Sequence, residues 1–98
     1  MDYTLRIRPA AEADIQDAYH YYEKCRKGLG SDFIRCIEAA LEKITQHPTH
    51  YPVVHKNIHR ILVQRFPFAI FFVVKGNVLV VLALLHGSRS PRRWKVRV

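Results

Sequence analysis

His86 and three arginines, Arg60, Arg65 and Arg89, are the residues of this 98-residue chain best suited to chemistry on a phosphodiester. Cleaving RNA needs a group that activates the 2′-hydroxyl, cations that stabilise the phosphorane charge and a donor for the leaving oxygen. An imidazole titrates near neutral pH and serves as acid or base, while guanidinium groups clamp phosphate oxygens with paired donors. His86 closes a long apolar run and Arg89 follows three residues later, so both lie where a strand would end. The plainer alternative makes His86 a strand-end residue that bonds backbone in a sharp turn.

Three other groupings invite chemistry. The tail carries Arg89, Arg92, Arg93, Lys95 and Arg97 around Trp94, which reads as a polyanion- or target-binding segment. A solvated terminus is the alternative, although a large aromatic ring usually docks on something. His47, His50, His55 and His59 cluster in sequence, yet neighbouring Lys and Arg repel a cation and no Cys or carboxylate lies nearby. A metal site is therefore not expected, and no residue set points to a cofactor. Tyr19, Tyr21 and Tyr22 resemble a stacking platform, but helical spacing assigns Tyr19 and Tyr22 to the core and leaves Tyr21 for an outside contact.

The charge is unevenly placed. Residues 1–42 hold six Lys or Arg and all eight acids, a net −2; residues 43–98 hold ten Lys or Arg and no acid, a net +10. Such asymmetry implies a basic surface for a polyanion or an acidic partner. Cys25 and Cys36 cannot build a disulfide framework, and Met1–Arg6 lacks the apolar stretch of a signal peptide. A cytoplasmic location with reduced thiols is the expectation. The apolar segment Phe66–Leu85 is interrupted at Lys75-Gly76-Asn77, and a lysine mid-bilayer is costly, so two strands replace a membrane helix.

The elements that must hold these residues follow from periodicity. Tyr3–Arg8 alternates apolar and polar and predicts a half-buried strand. Pro9 suits a first helical position, and Ala11, Ile15, Ala18, Tyr19 and Tyr22 form one stripe of a helix that Gly28 should close. Ser31 reads as the N-cap of a second helix, with the stripe Phe33, Ile34, Ile37, Ala40, Leu41 and Ile44, ending before His47-Pro48. Thr49–Asn57 reads as a loop. Ile58–Arg65, Ala69–Val74 and Val78–Leu85 read as strands; the last two are continuous apolar runs, so both of their faces should be covered, and Gly76-Asn77 centres a hairpin. The expected fold is α+β over one domain, residues 1–98: a helical hairpin on a small antiparallel sheet of three or four strands, in the order β-α-α-β-β-β.

Four segments in this order resemble the ParE/RelE toxin superfamily across nearly the whole chain, nearer to its ParE-like members. They are Pro9-Ala10-Ala11-Glu12-Ala13-Asp14-Ile15; Tyr21-Tyr22 with Gly28-Leu29-Gly30; Arg65-Phe66-Pro67-Phe68-Ala69-Ile70-Phe71-Phe72; and Val80 through Pro91. The resemblance implies a growth-inhibiting toxin of a type II toxin–antitoxin system, of the kind linked to plasmid stabilisation, silenced by a cognate antitoxin. RelE-like members cut messenger RNA at the ribosome, and ParE-like members poison DNA gyrase. RelE-like cutters carry an Arg on the middle strand shortly before an Ile/Leu-x-Tyr pattern, and Phe68-Ala69-Ile70-Phe71-Phe72 has none. Gyrase poisoning is therefore expected. Any enzymatic activity would be endoribonucleolytic, and a non-toxic basic nucleic-acid-binding module is the remaining alternative.

Overall fold

A computed structural model describes residues 3–87. Its elements are β1 (Thr4–Ile7), α1 (Pro9–Cys25), α2 (Leu29–Gln46), β2 (Val53–His55), β3 (Ile58–Leu62), β4 (Phe68–Lys75) and β5 (Val78–His86). One sheet takes the order β1-β5-β4-β3-β2, with the helical hairpin across one face. The fold is the expected one, with two differences. A short strand, β2, pairs with β3 inside the segment read as loop, and β1 lies parallel to β5, so the five-stranded sheet is mixed.

Local chemistry explains the helices. Pro9 opens α1, and Glu12 lies in its first turn. Gly28 has φ of 88°, but it begins α2 rather than closing α1, so Ser31 falls inside the helix instead of capping it. The Glu23 carboxylate does the capping, accepting from the Gly28 N–H at 3.0 Å and the Gly30 N–H at 3.0 Å. A methyl group at Gly30 would approach Tyr19 Cε1 to 2.8 Å and a Glu23 oxygen to 2.9 Å. Gly30→Ala is therefore expected to lower stability by about 1–2 kcal/mol, because overpacking outweighs the gain of about 1 kcal/mol in helix propensity. Urea denaturation of the variant checks this; equal or greater stability would show that the turn yields.

Both faces of the sheet are buried, as the continuous apolar runs required. Phe33, Ile37, Ile44, Ile70, Phe72, Leu79, Val81 and Leu84 lie in the helix-side cluster, and Ile58, Ala69, Phe71, Val73, Leu82, Ala83 and Leu85 form a second cluster on the far side. The pairing of β4 with β5 slips by one residue: Phe71 faces Ala83, whereas Phe72 faces Val81. Leu82 is the extra residue of this bulge, and it shares the far face with Ala83. Every side chain of β5 beyond the bulge is thereby moved to the face opposite the one that simple alternation gives.

Candidate functional site

The bulge decides the surroundings of His86. It carries His86 to the helix side, where its ring meets Phe68 edge-on at 5.5 Å between centroids. Arg60 pairs with Phe71, a far-side residue, and so projects from the opposite face of the sheet. The two therefore do not converge. Arg65 is not on β3, which stops at Leu62; it sits in the following loop with φ of 72°. Its guanidinium lies 3.9 Å from Asp32 Oδ2 on α2 and 5.7 Å from the centre of the Phe66 ring. The loop and the end of β5 meet, since the Gly87 N–H donates to Pro67 O at 2.7 Å. Arg65 and His86 thus share one end of the molecule, but the Arg65 charge is shared with a carboxylate. Arg89, Arg92, Arg93 and Trp94 lie outside the described residues, and with them half of the ten cations of residues 43–98.

His86 instead borders a cleft of about 590 Å³ between α1 and the ends of β4 and β5, whose walls include Asp14, Asp17, Tyr21, Tyr22 and Phe68. The α1 residues recur at positions i, i+3, i+7 and i+8, one face of the helix, a spacing that sequence reasoning could have used and did not. Among the described residues no Lys or Arg lines this cleft. Its carboxylates repel a phosphodiester where a nuclease would need to clamp one. Burial raises the Tyr22 phenol above its ordinary value, with Tyr21 and Cys25 adding to the effect, so Tyr22 stays neutral and offers no base. Tyr21 is 63% exposed and Tyr22 packs on Phe33, Phe66 and Phe68, as the helical spacing required.

Asp14 ties α1 to the edge of the sheet. β1 covers the edge of β5 only as far as Val81, and beyond it the Leu84 N–H donates to Asp14 Oδ2 at 3.1 Å. The carboxylate extends the ladder where the strand ends and fixes α1 on the sheet. Asp14→Ala is expected to lower stability by about 1–2 kcal/mol by orphaning a part-buried donor, while Asp14→Asn retains an acceptor and loses less. Hydrogen exchange at the Leu84 amide reads this directly, and unchanged protection in Asp14→Ala would refute the role.

The histidine cluster disperses. The exposed His47 and His50 rings stack at 4.7 Å, whereas His59 Nδ1 lies 2.9 Å from Tyr51 O and its ring stacks on Phe72. Among the described residues no group of three His, Cys, Asp or Glu is placed to hold a metal ion, and no helix is long and apolar enough to cross a membrane.

A helical hairpin on one face of a mixed five-stranded sheet is the fold of the ParE and RelE toxins. It matches a chain of the chromosomal ParDE toxin–antitoxin system of P. aeruginosa with a TM-score of 0.77 at 19% identity, covering 86% of this chain and 95% of that one. It also matches E. coli RelE. A double arginine-to-alanine mutant in the free state gives 0.73 at 14% identity, over 99% of this chain and 94% of that one. The isolated RelE toxin gives 0.66 at 14% identity, over 96% and 94%. A search of curated protein sequences finds no match. Residues 5–91 match the family described as the ParE toxin of the type II toxin–antitoxin system parDE, and the chain belongs to that family.

Proposed function

We propose that this protein arrests growth by poisoning DNA gyrase, that a cognate antitoxin neutralises it, and that it does not cut RNA. The observation that carries this reading is the composition of β4. From Phe68 to Val74 the central strand offers only apolar side chains, toward both faces. A phosphorane in front of the sheet would find no cation on its middle strand, and electrostatic stabilisation is the largest single contribution such a reaction needs. His86, the remaining acid–base candidate, stands beside Asp14 and Asp17 and across the sheet from Arg60. Membership of the ParE family and the likeness to a ParDE system support a binding poison and an antitoxin partner.

The deciding assay is supercoiling and DNA cleavage by purified gyrase with added toxin. Accumulated cleavage complexes at micromolar toxin are expected. No effect at that concentration, together with ribosome-dependent cuts in messenger RNA, would replace this reading with RNA cleavage. Normal growth on expression of abundant folded protein would leave only a non-toxic, basic nucleic-acid-binding module.

A further inference from the structure

Residues 88–98 lie outside the described part of the chain, but the point from which they leave is fixed. The Gly87 N–H donates to Pro67 O at 2.7 Å, and Pro67 and His86 are walls of the cleft beside α1. The chain therefore departs from the rim of that cleft. Arg89 lies two residues on, at most about 7 Å of extended chain, and Trp94 seven residues on, at most about 25 Å. From Asp14 to Tyr21 the α1 wall is only about 10 Å long at about 1.5 Å per residue, so all of it is within reach.

Cleft and tail are opposite in kind. The walls present the carboxylates of Asp14 and Asp17 and the rings of Tyr21, Tyr22 and Phe68. Asp17 is exposed and takes part in neither of the ion pairs among the described residues, and Tyr21 is 63% exposed. Residues 88–98 carry five Lys or Arg, Trp94 and no acid. Carboxylates and ring faces both attract guanidinium groups, and an indole packs on other aromatic rings. A volume of about 590 Å³ lies within the range that takes a drug-sized ligand, enough for one or two long side chains. Surface ion pairs are weak, so a free basic segment would hold only loosely. A short tether supplies an effective concentration in roughly the millimolar range, which favours the chain's own tail over any dilute competitor.

We infer that this cleft is the seat of the chain's own basic tail: residues 88–98 turn back along α1, a tail guanidinium meets Asp17 and Tyr21, and Trp94 covers the aromatic wall. Seated there, the tail cations are withdrawn from other anions. A polyanion that binds them has to draw the tail out of the cleft first, so the cleft sets how readily the tail engages a target. The inference goes beyond the gyrase reading and holds whichever target the protein has, because its test involves neither gyrase nor growth.

The test uses the whole chain, isotopically labelled, beside a full-length variant with Arg92→Gln, Arg93→Gln and Trp94→Ala, both followed by NMR. The amide signals of Asp17 and Tyr21 should differ between the two proteins and should not move on dilution of the parent. A synthetic peptide of residues 88–98 should then perturb those amides in the variant, and bind the parent about threefold or more weakly, because the parent's own tail competes. Asp17→Lys in the variant background should transfer the preference to a peptide with Glu at the Arg positions, a reversal that misfolding cannot mimic. A duplex oligonucleotide added to the parent should move the cleft signals toward their positions in the variant. Equal binding of the peptide to both proteins would mean that the cleft takes a basic segment from another molecule, and movement on dilution that it takes the tail of a second copy. Either result would overturn the proposal, as would perturbation away from α1, or a duplex bound while the cleft signals stay in place.

Discussion

Phe33→Ala is expected to lower folding stability by about 3–5 kcal/mol, the largest loss of any single truncation considered for this protein. Phe33 is fully buried on α2 and is ringed by aromatics from three other elements. Its ring lies 5.2 Å from Tyr22 of α1, 5.2 Å from Phe66 of the β3–β4 loop and 5.6 Å from Phe68 of β4. These tilted and edge-on contacts join the helical hairpin to the sheet, and each adds a directional gain to the apolar area it buries. A domain of this size has about 5–15 kcal/mol of net stability, so the variant should lose a large share of it and melt well below the parent protein. Phe33→Leu keeps most of the volume and should lose far less. Chemical denaturation with matched slopes measures both. A loss under about 1 kcal/mol for Phe33→Ala would mean that the hairpin is held elsewhere.

Arg89→Ala and Trp94→Ala are expected to abolish toxicity, while His86→Gln leaves it largely intact. A contact between a charged donor and a phosphate or carboxylate is worth about 1.5–3 kcal/mol, so losing one lowers affinity for the target roughly 10- to 100-fold. His86 faces Phe68 in a cleft walled by Asp14 and Asp17, and a poison that works by binding has no proton for it to transfer. Growth arrest on induction and gyrase cleavage complexes in vitro give the readout, with the folded state of each variant checked by melting. Loss of RNA cleavage in His86→Gln with antitoxin binding retained would reverse the assignment and make the protein a nuclease. If the variant lacking Arg65, His86 and Arg89 stays folded and still halts growth, the target surface lies elsewhere, and the exposed Tyr21 of α1 is the next place to probe.

Short-range order was legible in the sequence because its causes are short-range. Pro9, the stripes at helical spacing and the stop before His47-Pro48 place three of the four helix ends within a residue or two, whereas the Ser31 cap sets the start of α2 three residues late. Gly76, at φ of 61°, turns the hairpin between β4 and β5 where Gly76-Asn77 predicted it. The core stripes of both helices and the outward Tyr21 follow from the same spacing. So does family membership, which depends on the order of segments and not on their contacts.

What the sequence could not carry is parity and pairing. In Val78–Leu85 every residue is apolar, so no alternation marks which face each side chain takes, and the bulge at Leu82 leaves no trace in residue types. Yet that one extra residue sends His86 to the helix side and separates it from Arg60, dissolving a cluster that looked continuous along the chain. The parallel pairing of Thr4–Ile7 with Val78–Val81 joins segments about seventy residues apart, as does the bond from Leu84 to Asp14. Both depend on how α1 packs back over the sheet. β2 was hidden because three residues containing a histidine carry too little pattern to outweigh a flanking proline, and only the neighbouring edge of β3 makes them a strand. Local propensity and periodicity determined the elements and the family of this protein; packing between segments distant in sequence determined which of its charged and titratable groups meet.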